Sequence, residues 1–77
     1  MSEYQMNIEG KISYNDCMDI YDYMSVVGSD DKVIISFYEE DQSMINIVLE
    51  ILENQDFRIT DKYKDKNGAY KIAAVKC

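Results

Sequence analysis

GKISYNDC, residues 10–17, is the stretch in which the first strand gives way to the first helix. Gly10 interrupts an alternating apolar pattern, which is typical of the end of a strand. Ser13 and Asp16 have the spacing of a capping box, with Asp in place of the usual Glu, so a helix should begin near Tyr14. Loop amides and helix N-terminal amides converge at such junctions, which makes this one the first place to look for a functional site.

The rest of the chain carries further apolar patterns. We expect strands near residues 4–8, 33–38, 57–63 and 70–74, and helices near residues 14–27 and 44–52. Gly28 supplies the expected stop of the first helix, and Asp41 or Ser43 the N-cap of the second. Residues 65–68, DKNG, predict a hairpin turn between the last two strands, because Asn-Gly tolerates positive φ.

Spacing also selects the residues expected to face the core. In the first helix these are Cys17, Ile20, Met24 and Val27, with Tyr21 widening the stripe. In the second they are Met44, Val48, Ile51 and Leu52, widened by Ile45 and Ile47. Of the seven tyrosines we expect Tyr4, Tyr21, Tyr63 and Tyr70 in the core, and Tyr14, Tyr23 and Tyr38 without a core role.

The order βαβαββ predicts the fold. Right-handed crossovers place both helices on the same face of the sheet, and the last two strands form a hairpin. We therefore expect an α/β two-layer sandwich with a four-stranded mixed sheet, built as a single domain over residues 1–77. A ferredoxin-like arrangement is the main alternative, and it requires an additional strand before the second helix that the sequence does not show.

The charge composition limits the classes of partner that the protein is expected to bind. Eight basic and fifteen acidic residues give a net charge of -7, which argues against nucleic acid and against an anionic membrane. A protein partner with a basic surface, or solubility alone, fits this charge better. The chain has two cysteines and no histidine, so we expect free thiols, no metal site, no cofactor and a cytoplasmic location.

The layout is similar to that of the TusA-like (SirA-like) sulfur-carrier family over essentially the whole chain. The first strand of that family ends in Asp-hydrophobic-x-Gly-hydrophobic-x-Cys-Pro-x-Pro. Here Gly10 falls on the family glycine, Ser13 on the family cysteine, and Tyr14 and Asp16 on the two prolines. The pair at residues 40–41 takes the place of an acidic pair before the second helix. Residues 56–59 and 68–72 resemble the closing hairpin.

The resemblance implies a sulfur carrier whose persulfide-forming thiol has been replaced by a serine. It therefore predicts a divergent, non-catalytic TusA-like module that acts through protein contacts. Two alternatives stay open: a sulfur carrier that uses Cys17 or Cys77, and a small acidic inhibitor that docks on a basic target. The sequence does not decide whether the protein is an enzyme, although the missing Cys-Pro-x-Pro favours that it is not.

Three residues are weak catalytic candidates. Ser13 lies where a nucleophile could lie, but the chain has no histidine to activate it, and an N-cap role is favoured. Cys17 lies one turn into the helix, where its thiol pKa could be lowered, but its apolar stripe favours a core role. Cys77 is the last residue of the sequence, and terminal residues seldom lie in a shaped pocket.

An acidic, tyrosine-bearing surface around the first helix is the predicted binding surface. Its candidate residues are Tyr14, Asp16, Asp19, Tyr23, Glu39 and Glu40. The acidic groups lack the spacing of a calcium loop, so a solvated surface is favoured over a metal site. Self-association is a further alternative, in which residues 70–75 form an exposed edge strand that pairs with its copy.

Overall fold

The computed structural model describes residues 3–38 and 41–76 and confirms the βαβαββ order. The strands are β1 (Glu3–Asn7), β2 (Lys32–Phe37), β3 (Phe57–Lys64) and β4 (Tyr70–Lys76). The helices are α1 (Tyr14–Met24) and α2 (Gln42–Asn54). The two-layer sandwich with a four-stranded mixed sheet is confirmed, and no strand precedes α2 other than β1 and β2 within the described ranges. The ferredoxin-like alternative is therefore excluded.

The strand order is β1-β2-β4-β3. β1 pairs in parallel with β2, whereas β4 runs antiparallel to both of its neighbours, β2 and β3. The expectation that residues 70–75 form an exposed edge is therefore wrong. After β2 the chain passes through α2 to the far edge of the sheet, where it forms β3. The hairpin then places β4 between β2 and β3. The edge strands are β1 and β3.

The core lies between the helices and one face of the sheet. Its largest fully buried side chains are Phe37, Ile20, Met24, Ile35, Leu52, Ile72, Val27, Val33 and Val48. Alternate residues of β2 face this core, as expected for a strand covered on one face. Neither of the two described helices covers the opposite face of the sheet, which we call the open face.

The first helix ends earlier than its apolar stripe predicts. α1 ends at Met24, and Ser25 is its C-cap, so Gly28 is not the helix stop. Val27 is nevertheless buried, because the connecting loop, rather than a further turn of helix, returns it to the core. The Gly28 N–H instead donates to the Asp31 carboxylate at 3.1 Å.

The second helix uses the predicted residues in a shifted arrangement. Ile45, Val48 and Leu52 are its buried side chains, whereas Met44 and Ile51 are half-buried at its flank. The expectation that Ile47 widens the core stripe is wrong, since this side chain is 37% exposed. Successive helical residues turn by about 100°, which carries Ile47 to the solvent side of its buried neighbour.

The hairpin turn is built around one carboxylate. Oδ1 of Asp65 accepts hydrogen bonds from the N–H groups of Asn67 at 2.9 Å and Ala69 at 3.0 Å. Gly68 has φ of 87°, a left-handed conformation that glycine adopts without steric cost. Asn67 is not among the residues with positive φ, so the glycine alone makes the left-handed step.

A register shift between Ile59 and Asp61 changes which face the end of β3 presents. It leaves Tyr63 opposite Lys71, which is on the open face, and Tyr63 is exposed. The prediction that Tyr63 joins the core is therefore wrong. Simple alternation fails because the bulge at residue 60 adds one residue to β3 and reverses the facing of those that follow.

Of the predictions for the six other tyrosines, four are confirmed and two, those for Tyr21 and Tyr23, are wrong. Tyr4 and Tyr70 pack against the core as expected. Tyr21 is exposed rather than buried. Tyr23 packs against the core, with its ring edge-on to Tyr4 and the ring centroids 6.1 Å apart. Tyr14 and Tyr38 are exposed.

Candidate functional site

The junction between β1 and α1 is occupied by a helix cap. The Ser13 hydroxyl accepts from the Asp16 N–H at 3.3 Å and donates to Oδ2 of Asp16 at 3.0 Å. The same carboxylate oxygen accepts from the Ser13 N–H at 2.8 Å. The predicted capping box is confirmed. The hydrogen bonds of the capping box give the side chains of Ser13 and Asp16 a structural role at the start of α1.

Cys17 lies in the core rather than at a reactive surface. Its side chain is only 7% exposed and belongs to the main apolar cluster. Burial raises the pKa of the Cys17 thiol, and the negative charge of Asp16 raises it further. Both effects favour the protonated thiol over the thiolate, which is the nucleophilic form. The arrangement therefore suits packing better than sulfur chemistry.

A shallow depression lies on the open face beyond the ends of β1 and β2. Its volume is about 240 Å³, and its lining includes Asn7, Ser36, Tyr38, Asp65 and Lys71. Lys71 approaches Asp65 with its Nζ atom 3.8 Å from Oδ2, so these two charges largely compensate each other, and Glu9 adds a further acidic residue to the lining. None of its described lining residues is a cysteine, and its mixed charge selects no ligand class.

The exposed apolar side chains of the helical layer form a more informative surface. Tyr14, Met18 and Tyr21 are 84%, 64% and 52% exposed. Their spacing of four and then three residues places them along one side of α1. Tyr23, nine residues after Tyr14, lies on the opposite side of the helix, where it contacts Tyr4 of the edge strand β1. The exposed stripe therefore faces away from that edge, towards α2.

The second helix presents a matching apolar side. α1 and α2 run in the same direction, because each follows one of two parallel strands. Met44, Ile47 and Ile51 lie on the same angular side of α2 as Tyr23 does on α1. In two parallel helices on one sheet face, that side of α2 points towards α1. We call the resulting surface the helical groove, and it comprises Tyr14, Met18, Tyr21, Met44, Ile47 and Ile51.

Charge is distributed very unevenly over the molecule. α1 and α2 together contain five acidic residues and no lysine or arginine. Residues 57–76 contain six basic and two acidic residues, a net charge of +4 against -7 for the whole chain. The β3–β4 hairpin is therefore cationic, while the helical layer is purely anionic.

The predicted site residues occupy different surroundings. Tyr14 lies in the helical groove, and Asp19 is exposed on the outer side of α1. Asp16 is held in the capping box, and Tyr23 is half-buried beside β1. Glu39, Glu40 and Cys77 lie outside the described residues. Of the predicted site residues within the described ranges, Tyr14 and Asp19 are exposed on α1, but a separation of five residues places them about 140° apart around the helix rather than on one side of it.

Sequence reasoning missed most of the groove although the signals were present. The spacing of Tyr14, Met18 and Tyr21 is that of a second helical stripe beside the core stripe. When Tyr21 is assigned to the core, this second stripe is reduced to two residues and is not recognised. The sequence also shows that six of its eight basic residues lie within residues 57–76.

Comparisons with protein-family models, with curated proteins and with solved structures found no match. The TusA-like resemblance therefore stays a prediction. Within residues 3–38 and 41–76, no three potential metal ligands of the His, Cys, Asp or Glu type form a group that could hold an ion. The same residues include no helix long and apolar enough to cross a membrane.

Proposed function

We propose that this protein is a small, non-catalytic binding module that holds a partner protein in the helical groove. The carrying observation is the line of exposed apolar side chains at Tyr14, Met18, Tyr21 and Ile47. Single exposed apolar residues are ordinary on protein surfaces, but a contiguous apolar surface with a polar rim is typical of an interaction site. Tyrosine and methionine are also enriched in protein interfaces.

Cys17 carries the one thiol within residues 3–38 and 41–76, and its burial supports binding rather than sulfur transfer at that residue. In the TusA-like alignment a serine takes the position of the family cysteine, and that serine caps α1. Cys17 is buried, and its raised pKa disfavours the thiolate. We therefore propose a TusA-like domain that keeps the family layout and has lost the carrier chemistry. Its free buried thiol suits a reducing compartment, the cytoplasm.

Comparative affinity purification from the native host tests this function. The bait pair is the wild-type protein and a Met18→Glu variant, which places a charge in the middle of the groove. Because Met18 is exposed, the substitution should change the free energy of unfolding by less than about 0.5 kcal/mol. Proteins that bind the groove should be retained by the wild type and lost from the variant.

Tyr63→Ser is the matched control, since it removes an exposed apolar side chain from the open face instead. This variant should retain the same proteins as the wild type. Equal retention by Met18→Glu and wild type, or loss only from Tyr63→Ser, would place the interaction elsewhere and refute the proposal. Circular dichroism of all three baits establishes that they are folded.

A further inference from the structure

We infer that the occupant of the helical groove is a cationic amphipathic helix of the partner protein, about three turns long. This inference rests on the proposed function and specifies the chemistry of its partner. Two parallel helices leave a long apolar furrow between them, and a third helix can lay its own apolar side into such a furrow. An apolar small molecule would need an enclosed cavity, which an exposed surface of this kind does not provide.

The length of the occupant follows from the helices that form the groove. α1 has 11 residues and α2 has 13, which correspond to about 16 and 20 Å at 1.5 Å per residue. A partner helix that uses the whole groove therefore needs about 11–13 residues. Its apolar anchors should recur at positions i, i+3 or i+4, and i+7, as in other helix-in-groove complexes.

The sign of the occupant's charge follows from the rim of the groove. Asp22 lies four residues after Met18 on α1, and Glu50 lies three residues after Ile47 on α2. Residues at these spacings are neighbours on a helix surface, so an exposed carboxylate flanks the groove on each bank. Neither helix contributes a lysine or arginine to compensate them. Lysines on the polar side of a bound helix would do so.

Other occupants fit this rim less well. The helical layer of a second copy would bring another five acidic residues and no cations against the first. An anionic lipid surface would be repelled for the same reason. The cationic part of a second copy is its β-hairpin, which presents strand edges rather than a helix.

Three synthetic 14-residue peptides test the inference directly. They share the same leucines at i, i+3, i+7 and i+10 and differ only in the polar side, which is lysine, glutamine or glutamate. Fluorescence anisotropy with labelled peptides measures the Kd of each for the purified protein. At low salt the lysine peptide should bind at least tenfold more tightly than the glutamine peptide, and the glutamate peptide least tightly. The ratio should approach one near 1 M salt, where the Debye length is about 3 Å.

Variants separate the inference from the function on which it rests. The double variant Asp22→Lys with Glu50→Lys should remove the tenfold preference and leave glutamine-peptide binding intact. Glu3→Lys with Asp61→Lys makes the same change in charge on exposed residues of the open face, so it should keep most of the preference. Met18→Glu should weaken the binding of both peptides at least tenfold.

The outcomes have different meanings. Equal binding of the lysine and glutamine peptides, both lost in Met18→Glu, overturns the cationic partner and leaves the groove as the binding surface. Peptide binding that is unaffected by Met18→Glu removes the groove and with it the proposed function. Absence of lysine-peptide binding at 1 mM, or a preference for the glutamate peptide, also overturns the inference. In that case the affinity purification with the wild-type and Met18→Glu baits still tests the proposed function independently of the peptides.

Discussion

Substitution of Ser13 by alanine is the clearest test of how the β1–α1 junction works. The change removes the acceptor of the 3.3 Å hydrogen bond from the Asp16 N–H and the donor of the 3.0 Å bond to its carboxylate. The 2.8 Å bond from the Ser13 N–H to Asp16 survives. Since the cap is exposed, water can replace the lost partners, and the expected loss is about 1 kcal/mol. For a domain of this size the melting temperature should fall by about 4–8 °C.

Urea unfolding followed by circular dichroism measures this loss as a shift in midpoint at constant m-value. Asp16→Ala and the double variant complete a thermodynamic cycle. Because the two side chains form one box, the double variant should lose less than the sum of the single losses. Ser43→Ala, at an exposed position in the first turn of α2, is the control and should cost less than about 0.5 kcal/mol. Unchanged stability in Ser13→Ala together with lost partner binding would refute the capping role.

Three further outcomes follow from the core and the hairpin. In the Cys77→Ser variant, Cys17 of the folded protein should be alkylated far more slowly than Cys17 of the unfolded protein. Its alkylation rate should keep rising above the pH at which the rate for a free cysteine levels off, because the pKa of the Cys17 thiol is raised. Equal rates in the folded and unfolded protein would show that the thiol is accessible. Gly68→Ala should destabilise the protein by about 1–2 kcal/mol in urea unfolding through backbone strain alone, since no atom lies within 4 Å of the added Cβ position. Tyr70→Ala should cost at least about 2 kcal/mol and Tyr63→Ala less than about 0.5 kcal/mol, and similar losses would contradict the bulge that turns Tyr63 outward.

Local signals predicted the elements well because their causes are local. The capping box at Ser13 and Asp16 involves residues three positions apart, and its hydrogen bonds form within one helical turn. The turn at residues 65–68 likewise depends on its own glycine and aspartate. Both could therefore be read from a short window of sequence.

Long-range arrangement could not be read in the same way. The sequence predicts that β4 pairs with β3. Whether β4 lies at the edge of the sheet or at its centre is decided by its pairing with β2, which is distant in the sequence. The bulge near Ile59 has no glycine to mark it, and it alone reverses the facing of Tyr63. The spacing of Tyr21 fits the edge of the buried stripe and predicts a core position, but its side chain is 52% exposed, because a residue at the edge of a helical stripe is covered only if a neighbouring element reaches it.

The separation of charge has a kinetic consequence as well as a structural one. A molecule with an anionic helical layer and a cationic β3–β4 hairpin has a permanent electric dipole, and an approaching basic protein exerts a torque on it. The groove is then turned towards the partner before contact, which shortens the random rotational search. Steering of this kind accelerates association by about 10- to 1000-fold and fades as ionic strength rises. Charge reversal in the hairpin, far from any contact, should therefore alter the association rate while leaving the dissociation rate nearly unchanged.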